Sequence, residues 1–132
     1  MATSRLPDAE LEIMKVIWKC SGSATSAVIV QKLEGKKDWA VTTVLNFLAR
    51  LVDRGFLTAQ RSGKTNIYTP VIGEDEYLES ESRFFLERLH ENSLTSLVAS
   101  LYSGKTISRG DLEELKRFIE EKADEEKPEG AL

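Results

Sequence analysis

Thr42, Thr43, Leu45, Asn46 and Arg50 lie in one short stretch, and Arg61 and Lys64 follow soon after it. An Asn side chain offers an acceptor and donors, Thr offers a hydroxyl beside a methyl, and Arg and Lys carry positive charge. At about 100° per residue, Thr42, Asn46, Ala49 and Asp53 share one side of a helix. Leu45 and Arg50 flank that side on opposite edges, and Thr43 lies towards its rim. A face that is small and polar over most of its length suits close approach to base edges. Asn can bond adenine bidentately, and Thr can hydrogen-bond or touch a thymine methyl. Ordinary solvated helix faces carry more Lys and Glu. Asp53 would repel phosphate, so it belongs where the helix leaves the groove.

No comparable set supports catalysis. His90 is the sole histidine and sits on a helix among charges, where a solvated side chain is the expectation. There is no Gly-rich phosphate loop and no cluster of metal ligands, and the carboxylates of the C-terminal half are spread around helices. The reading is therefore not an enzyme, with no metal and no cofactor. Cys20 is the only cysteine, which rules out an internal disulfide and fits a reducing cytoplasm. At the end of an apolar helix it is expected to be a small core residue. No apolar run approaches the roughly 20 residues of a membrane span, and the N-terminus lacks the basic-then-apolar order of a signal peptide.

The elements that must position the polar face can be read along the chain. Pro7 marks a helix start, with Asp8, Glu10 and Glu12 in the first turns and Ile13, Met14, Ile17 and Trp18 on one face. Ser21-Gly22-Ser23 ends this helix. Ala24-Thr25 is a candidate short strand, and Thr25 or Ser26 can cap a second helix carrying Val28, Ile29 and Leu33. After the turn at Gly35-Lys36-Lys37-Asp38, a third helix opens at Trp39-Ala40-Val41. Its core stripe, Val44, Phe47, Leu48 and Leu51, follows the spacing i, i+3, i+4, i+7. It closes at Asp53-Arg54-Gly55. Leu57 to Ser62 and Thr65 to Val71 then read as two strands around Gly63-Lys64, where Gly tolerates the positive φ of a tight hairpin. Arg61 and Lys64 would touch phosphates.

The fold class is thus mainly α with a small β-hairpin: a winged helix-turn-helix over residues 1–72, followed by a helical region over 73–132. Charge divides in the same place. Residues 1–72 carry ten Lys or Arg and six Asp or Glu (+4), residues 73–132 carry eight and sixteen (−8), and together they make the net −4. The basic part would face phosphate, and the acidic part would be kept from it. Past Gly73, helices are expected over Glu74 to Leu89, with Tyr77, Leu78, Phe84, Phe85 and Leu89, and over Ser93 to Tyr102, with Leu94, Leu97, Val98 and Leu101. A further helix carries Leu112, Leu115, Phe118 and Ile119, opened by a Ser108/Asp111 capping box in which Asp replaces Glu or Gln. These short amphipathic helices either acquire a partner chain, most simply in a homodimer, or fold back on the first domain. Ala123 to Leu132 reads as a frayed acidic tail.

Several stretches together carry a resemblance. They are Leu6 with Ala9-Glu10-Leu11-Glu12-Ile13-Met14, Ile17-Trp18, Ala24-Thr25, and Trp39-Ala40-Val41-Thr42-Thr43-Val44 with Leu48, Arg50-Leu51 and Gly55. Asn66-Ile67-Tyr68-Thr69-Pro70 closes the hairpin. On these residues the chain resembles the BlaI/MecI/CopY penicillinase-repressor family of bacterial transcription regulators over nearly its whole length. The resemblance implies a dimeric repressor whose winged helix binds a half-site of an inverted-repeat operator in double-stranded DNA. It implies that Thr42, Thr43 and Asn46 reach bases, and that Arg50 touches the backbone or holds the helix through a carboxylate. The DNA-facing set is Thr25, Thr42, Thr43, Leu45, Asn46, Arg50, Arg61 and Lys64. The dimerising set is Phe84, Phe85, Leu94, Leu97, Val98, Leu101, Leu112, Leu115 and Ile119.

Three departures bear on regulation and specificity. Some penicillinase repressors carry longer basic residues on the third helix, where this chain has Thr42 and Leu45. Copper-responsive members carry paired cysteines near the C-terminus, and nothing after Cys20 is a cysteine. β-Lactam-responsive members are cleaved at an Asn-Phe bond, and the matching segment here is Leu97-Val98-Ala99-Ser100-Leu101-Tyr102. Ser100-Leu101 is the candidate bond, and a sensor protease is a candidate partner. The alternative to a DNA reader is a winged helix that docks on another protein, which would lack salt-dependent DNA affinity.

Overall fold

Pro7 is extended (φ −59°, ψ 154°), and its carbonyl accepts the first helical hydrogen bond from Leu11 N–H at 2.9 Å. It therefore caps the first helix rather than entering it. The computed structural model describes residues 5–126, and the elements run in the order α1 (Asp8–Trp18), β1 (Ala24–Thr25), α2 (Ser26–Leu33), α3 (Val41–Asp53), β2 (Leu57–Ser62), β3 (Thr65–Pro70), α4 (Glu74–His90), α5 (Leu94–Ser103) and α6 (Arg109–Glu125). Thr25 caps α2, its hydroxyl accepting from Val28 N–H at 3.3 Å. α3 begins at Val41, with Trp39 and Ala40 ahead of it.

The strands form one antiparallel sheet in the order β1-β3-β2. Ala24 pairs with Tyr68 and Thr25 with Ile67, while β2 and β3 pair from Leu57↔Pro70 to Ser62↔Thr65. Only Gly63 and Lys64 lie between the last paired residues. Gly63 takes a φ of +64°, which is the requirement of a two-residue hairpin turn with Gly at its first central position.

Ile13, Met14 and Ile17 of α1, Ile29 and Leu33 of α2, and Val44, Leu48 and Leu51 of α3 are buried together with Phe56, Leu57, Tyr68 and Tyr77. Each such side chain is worth roughly 1.5–3 kcal/mol of transfer free energy. α3 stops by a Schellman arrangement: Phe56 N–H donates to Leu51 carbonyl at 2.9 Å and Gly55 N–H to Val52 carbonyl at 3.1 Å. Gly55 has a φ of +83°, a conformation open to Gly without a Cβ penalty, and buried Phe56 and Leu51 make the apolar contact typical of the motif.

The chain divides into two compact units, the first ending at Arg83 and the second beginning at Phe84. The first unit therefore runs past the compositional change at Gly73, because the start of α4 is tied into its core. Tyr77 is buried, its hydroxyl accepts from Leu6 N–H at 3.0 Å, and its ring meets Trp18 at 5.7 Å and Phe56 at 6.2 Å. Trp18 in turn donates through Nε1 to the Ile72 carbonyl at 2.9 Å. Burial holds the Tyr77 phenol above its ordinary pKa, against a smaller opposing effect of the Leu6 hydrogen bond.

In the second unit, α5 and α6 contribute no buried residue. The capping box of α6 is complete, with Asp111 N–H donating to Ser108 Oγ at 3.1 Å and Ser108 N–H to Asp111 Oδ2 at 2.8 Å. α6 continues to Glu125, helped by the Lys122–Glu125 pair at 3.1 Å, so Ala123 and Asp124 are helical and not part of a frayed tail. The rest of that tail lies outside the described residues. His90 also departs from expectation. It is half-buried at the end of α4, its Nδ1 lies 2.9 Å from Ser96 Oγ, and its ring is 5.7 Å from that of Phe85. Positive φ at Glu91 and Asn92 turns the chain sharply enough to bring Ser96 back to it.

Candidate nucleic-acid interface

α3 carries the polar face as its spacing predicts. Val44, Leu48 and Leu51 are buried, Thr42, Leu45, Asn46, Ala49, Arg50 and Asp53 are exposed, and Thr43 is half-buried. Among the described residues, the side chains of Thr42, Thr43 and Asn46 make no hydrogen bond within the chain. Their donors and acceptors are left for a partner. Ala40, ahead of α3, supplies no side-chain cap, so the first N–H groups of the helix also face outward unpartnered by a cap. The entry to α3 is set by an edge-on contact of Trp39 with Phe47, at 5.3 Å between centroids.

Arg50 lies over the Phe47 ring at 5.8 Å and is exposed. It forms no ion pair among the described residues, so it does not hold the helix through a carboxylate. That role falls to Arg54, four residues on, whose Nη1 lies 3.5 Å from Oε1 of Glu10 in α1 and whose Nη2 donates to the Arg5 carbonyl at 2.9 Å. The Glu10 side chain is 5% exposed and that of Arg54 36%. Sequence reasoning missed this pair because Glu10 reads as a solvated first-turn carboxylate. The available signal was its place one turn before Ile13 and Met14, on the buried side of α1.

In the hairpin, Arg61 and Lys64 are exposed at the tip, and Arg61 Nε donates to the Gly63 carbonyl at 3.2 Å. The guanidinium is thereby folded back on the turn that carries Lys64. Thr25 lies at the start of α2 with its hydroxyl already accepting a capping bond. Positive charge is not gathered on this surface alone. Lys15, Lys19, Lys32, Lys36 and Lys37 line a separate groove of about 360 Å³ between α1 and the end of α2. Those positions lie at or near the C-terminal ends of two helices, where the macrodipole favours cations. Half of the ten cations of residues 1–72 thus have a local structural reason and line a groove to which no residue of α3 contributes.

In the second unit, Phe84, Leu94 and Ile119 are exposed, and Phe85, Leu97, Val98, Leu101, Leu112 and Leu115 are half-buried. Ser100 and Leu101 lie inside α5. The Ser100 carbonyl accepts from Gly104 N–H at 3.0 Å and that of Leu101 from Thr106 N–H at 2.9 Å, so a protease would first have to unwind that turn. Cys20 is half-buried, with its thiol donating to the Val16 carbonyl at 3.4 Å. Among the described residues no group of three or more His, Cys, Asp or Glu could hold a metal ion, and no helix is long and apolar enough to cross a membrane.

Comparison with known proteins gives three findings. Residues 6–121 match the family described as penicillinase repressor. The chain is 37% identical over 117 residues to the penicillinase repressor of Bacillus licheniformis, covering 89% of this chain and 91% of that one, and 26% identical over 121 residues to the methicillin resistance regulatory protein MecI of Staphylococcus aureus (strain N315), covering 91% and 97%. The solution structure of the DNA-binding domain of the repressor BlaI superposes with a TM-score of 0.51 at 36% identity, covering 58% of this chain and 94% of that domain.

Proposed function

Because the chain belongs to the penicillinase repressor family, we propose that it is a DNA-binding transcriptional repressor that reads its operator through α3. The observation that carries this reading is the face of α3, where Thr42 and Asn46 are exposed with their hydrogen-bonding groups uncommitted and the basic hairpin tip lies in the same compact unit. In this reading α3 enters the major groove, Asn46 and the threonines meet base edges, and Arg50, Arg61 and Lys64 meet phosphates. Repression is steric: the bound protein covers promoter elements.

The second unit is read as the dimerisation region. Its support is apolar surface that the unit does not bury by itself, including Phe84, Leu94 and Ile119. A twofold dimer would place two α3 helices in major grooves one helical turn apart, roughly 34 Å, or a multiple of it, and so favour an inverted repeat. Release by a sensor protease at Ser100–Leu101 is the proposed off-switch, supported by the family and opposed by the missing Asn-Phe pair. Shortening of the chain after inducer is its test. A reducing cytoplasm is the proposed location, resting on the single cysteine.

The deciding experiment is fluorescence anisotropy with DNA from upstream of this gene and with random duplex, at two salt concentrations. Tighter, salt-weakened binding to the upstream DNA is expected, and Asn46→Ala should reduce that preference by about 1–3 kcal/mol. Equal and feeble binding to every duplex, insensitive to salt, would refute the reading and favour a protein-docking winged helix.

A further inference from the structure

The α3 face has an apolar edge that base hydrogen bonding does not use. Val41 and Leu45, one helical turn apart, are 54% and 40% exposed. They line an open pocket of about 390 Å³ against the facing side of α2, where Ala27 and Val30 contribute further apolar surface and Ser26, Gln31 and Glu34 complete the lining. No cation lines it. A carboxylate without a compensating cation disfavours phosphate, so this is a poor site for the backbone. Exposed Val and Leu on a surface that otherwise offers Thr and Asn leave apolar area in water until a ligand covers it.

The major-groove edge of a duplex presents one apolar group, the C5-methyl of thymine. We propose that the Val41–Leu45 edge and the facing Ala27 and Val30 form a thymine-methyl pocket that helps to set operator preference. The proposal rests on the reading of α3 as the base-contacting helix and deepens it by naming the base class. Geometry supports more than one methyl: four residues of α3 advance about 6 Å, and successive bases of one strand advance about 3.4 Å. Where α3 follows the groove, that spacing lets Val41 and Leu45 each meet a methyl on neighbouring or next-neighbouring base pairs.

The test uses the full-length chain and its mapped operator, with each thymine of a half-site replaced singly by deoxyuridine. This substitution removes the methyl and keeps every hydrogen-bonding group. Affinity is expected to fall at one or two positions, by about fourfold per methyl, the factor that about 0.8 kcal/mol per buried methyl gives. In Leu45→Ala or Val41→Ala the same replacement should change affinity less than about twofold. Both residues are exposed, so circular dichroism should show unchanged folding. If uracil matches thymine at every position while the operator still outcompetes random duplex, base reading stands and the pocket is refuted. A full uracil effect that persists in both variants would also overturn it. Should the operator bind no better than random duplex, the parent reading fails and the pocket with it.

Discussion

Replacing Arg54 by Met leaves the Glu10 carboxylate, 5% exposed, without the guanidinium 3.5 Å away. At that separation and an effective dielectric of about 20, the pair is worth about 5 kcal/mol of Coulomb energy. Arg54 is 36% exposed, so solvent screening reduces this to about 2–3 kcal/mol. The Arg5 carbonyl also loses its donor, which adds about 1 kcal/mol. Arg54→Met should therefore destabilise the first unit by about 3–4 kcal/mol, read as a shift of the urea midpoint followed by tryptophan fluorescence. Trp18 and Trp39 both pack against the core of that unit, so they report its unfolding. The reverse change is milder, because Glu10→Leu removes the buried charge and leaves an arginine that reaches water. The double variant Glu10→Leu/Arg54→Met should be more stable than Arg54→Met alone, since an apolar pair in place of a buried ion pair is often neutral. Strict additivity of the two changes, or a loss below about 0.5 kcal/mol in Arg54→Met, would refute the claim that this pair holds α1 to the end of α3.

Two further outcomes follow from the same structure. The Tyr77 phenol is raised in the folded state by burial, so its contribution to stability is complete below the ordinary phenol pKa of about 10 and is lost as pH rises through the higher folded value; Tyr77→Phe should remove that alkaline loss while costing about 1–3 kcal/mol at neutral pH through the stranded Leu6 N–H, which denaturant titrations between pH 7 and 11 would measure. Arg61→Ala and Lys64→Ala should each lower the steepness of the salt dependence of operator binding by about 1, whereas the paired change Lys32→Ala/Lys36→Ala, in the lysine groove, should leave it unchanged; a flatter slope in that pair would show that the lysine groove contacts DNA.

The spacing of Val44, Leu48 and Leu51 was enough to orient α3, because a 3.6-residue period assigns inner and outer faces without knowledge of neighbours. Gly63 and Gly55 were equally legible. A two-residue hairpin and a Schellman stop each require a positive φ that few other residues adopt. The capping box at Ser108 could be read because its two hydrogen bonds are local. Phe47 was half legible: it lies on the inner side but is only partly covered, its ring being shared with Trp39 and Arg50.

What the sequence by itself determined is local and periodic: the helices, the hairpin, the polar face of α3 and the acidic second half. Which groups meet across distant segments was decided only by the tertiary structure. Arg50 and Arg54 are both cations on one helix, and their spacing does not say which of them finds a carboxylate. α1 brings Glu10 to Arg54, while Arg50 lies over the Phe47 ring and has no ion pair among the described residues. Likewise a charge count credits all ten cations to one surface, whereas folding places five lysines in a separate groove beside two helix C-termini. The end of the first unit was hidden for the same reason. Tyr77 belongs to an acidic helix in composition, and only its hydrogen bond to Leu6, 71 residues away, shows that its burial completes the first core. Periodicity reports which side of an element is apolar, but the partner of that side is fixed by packing among all the elements at once.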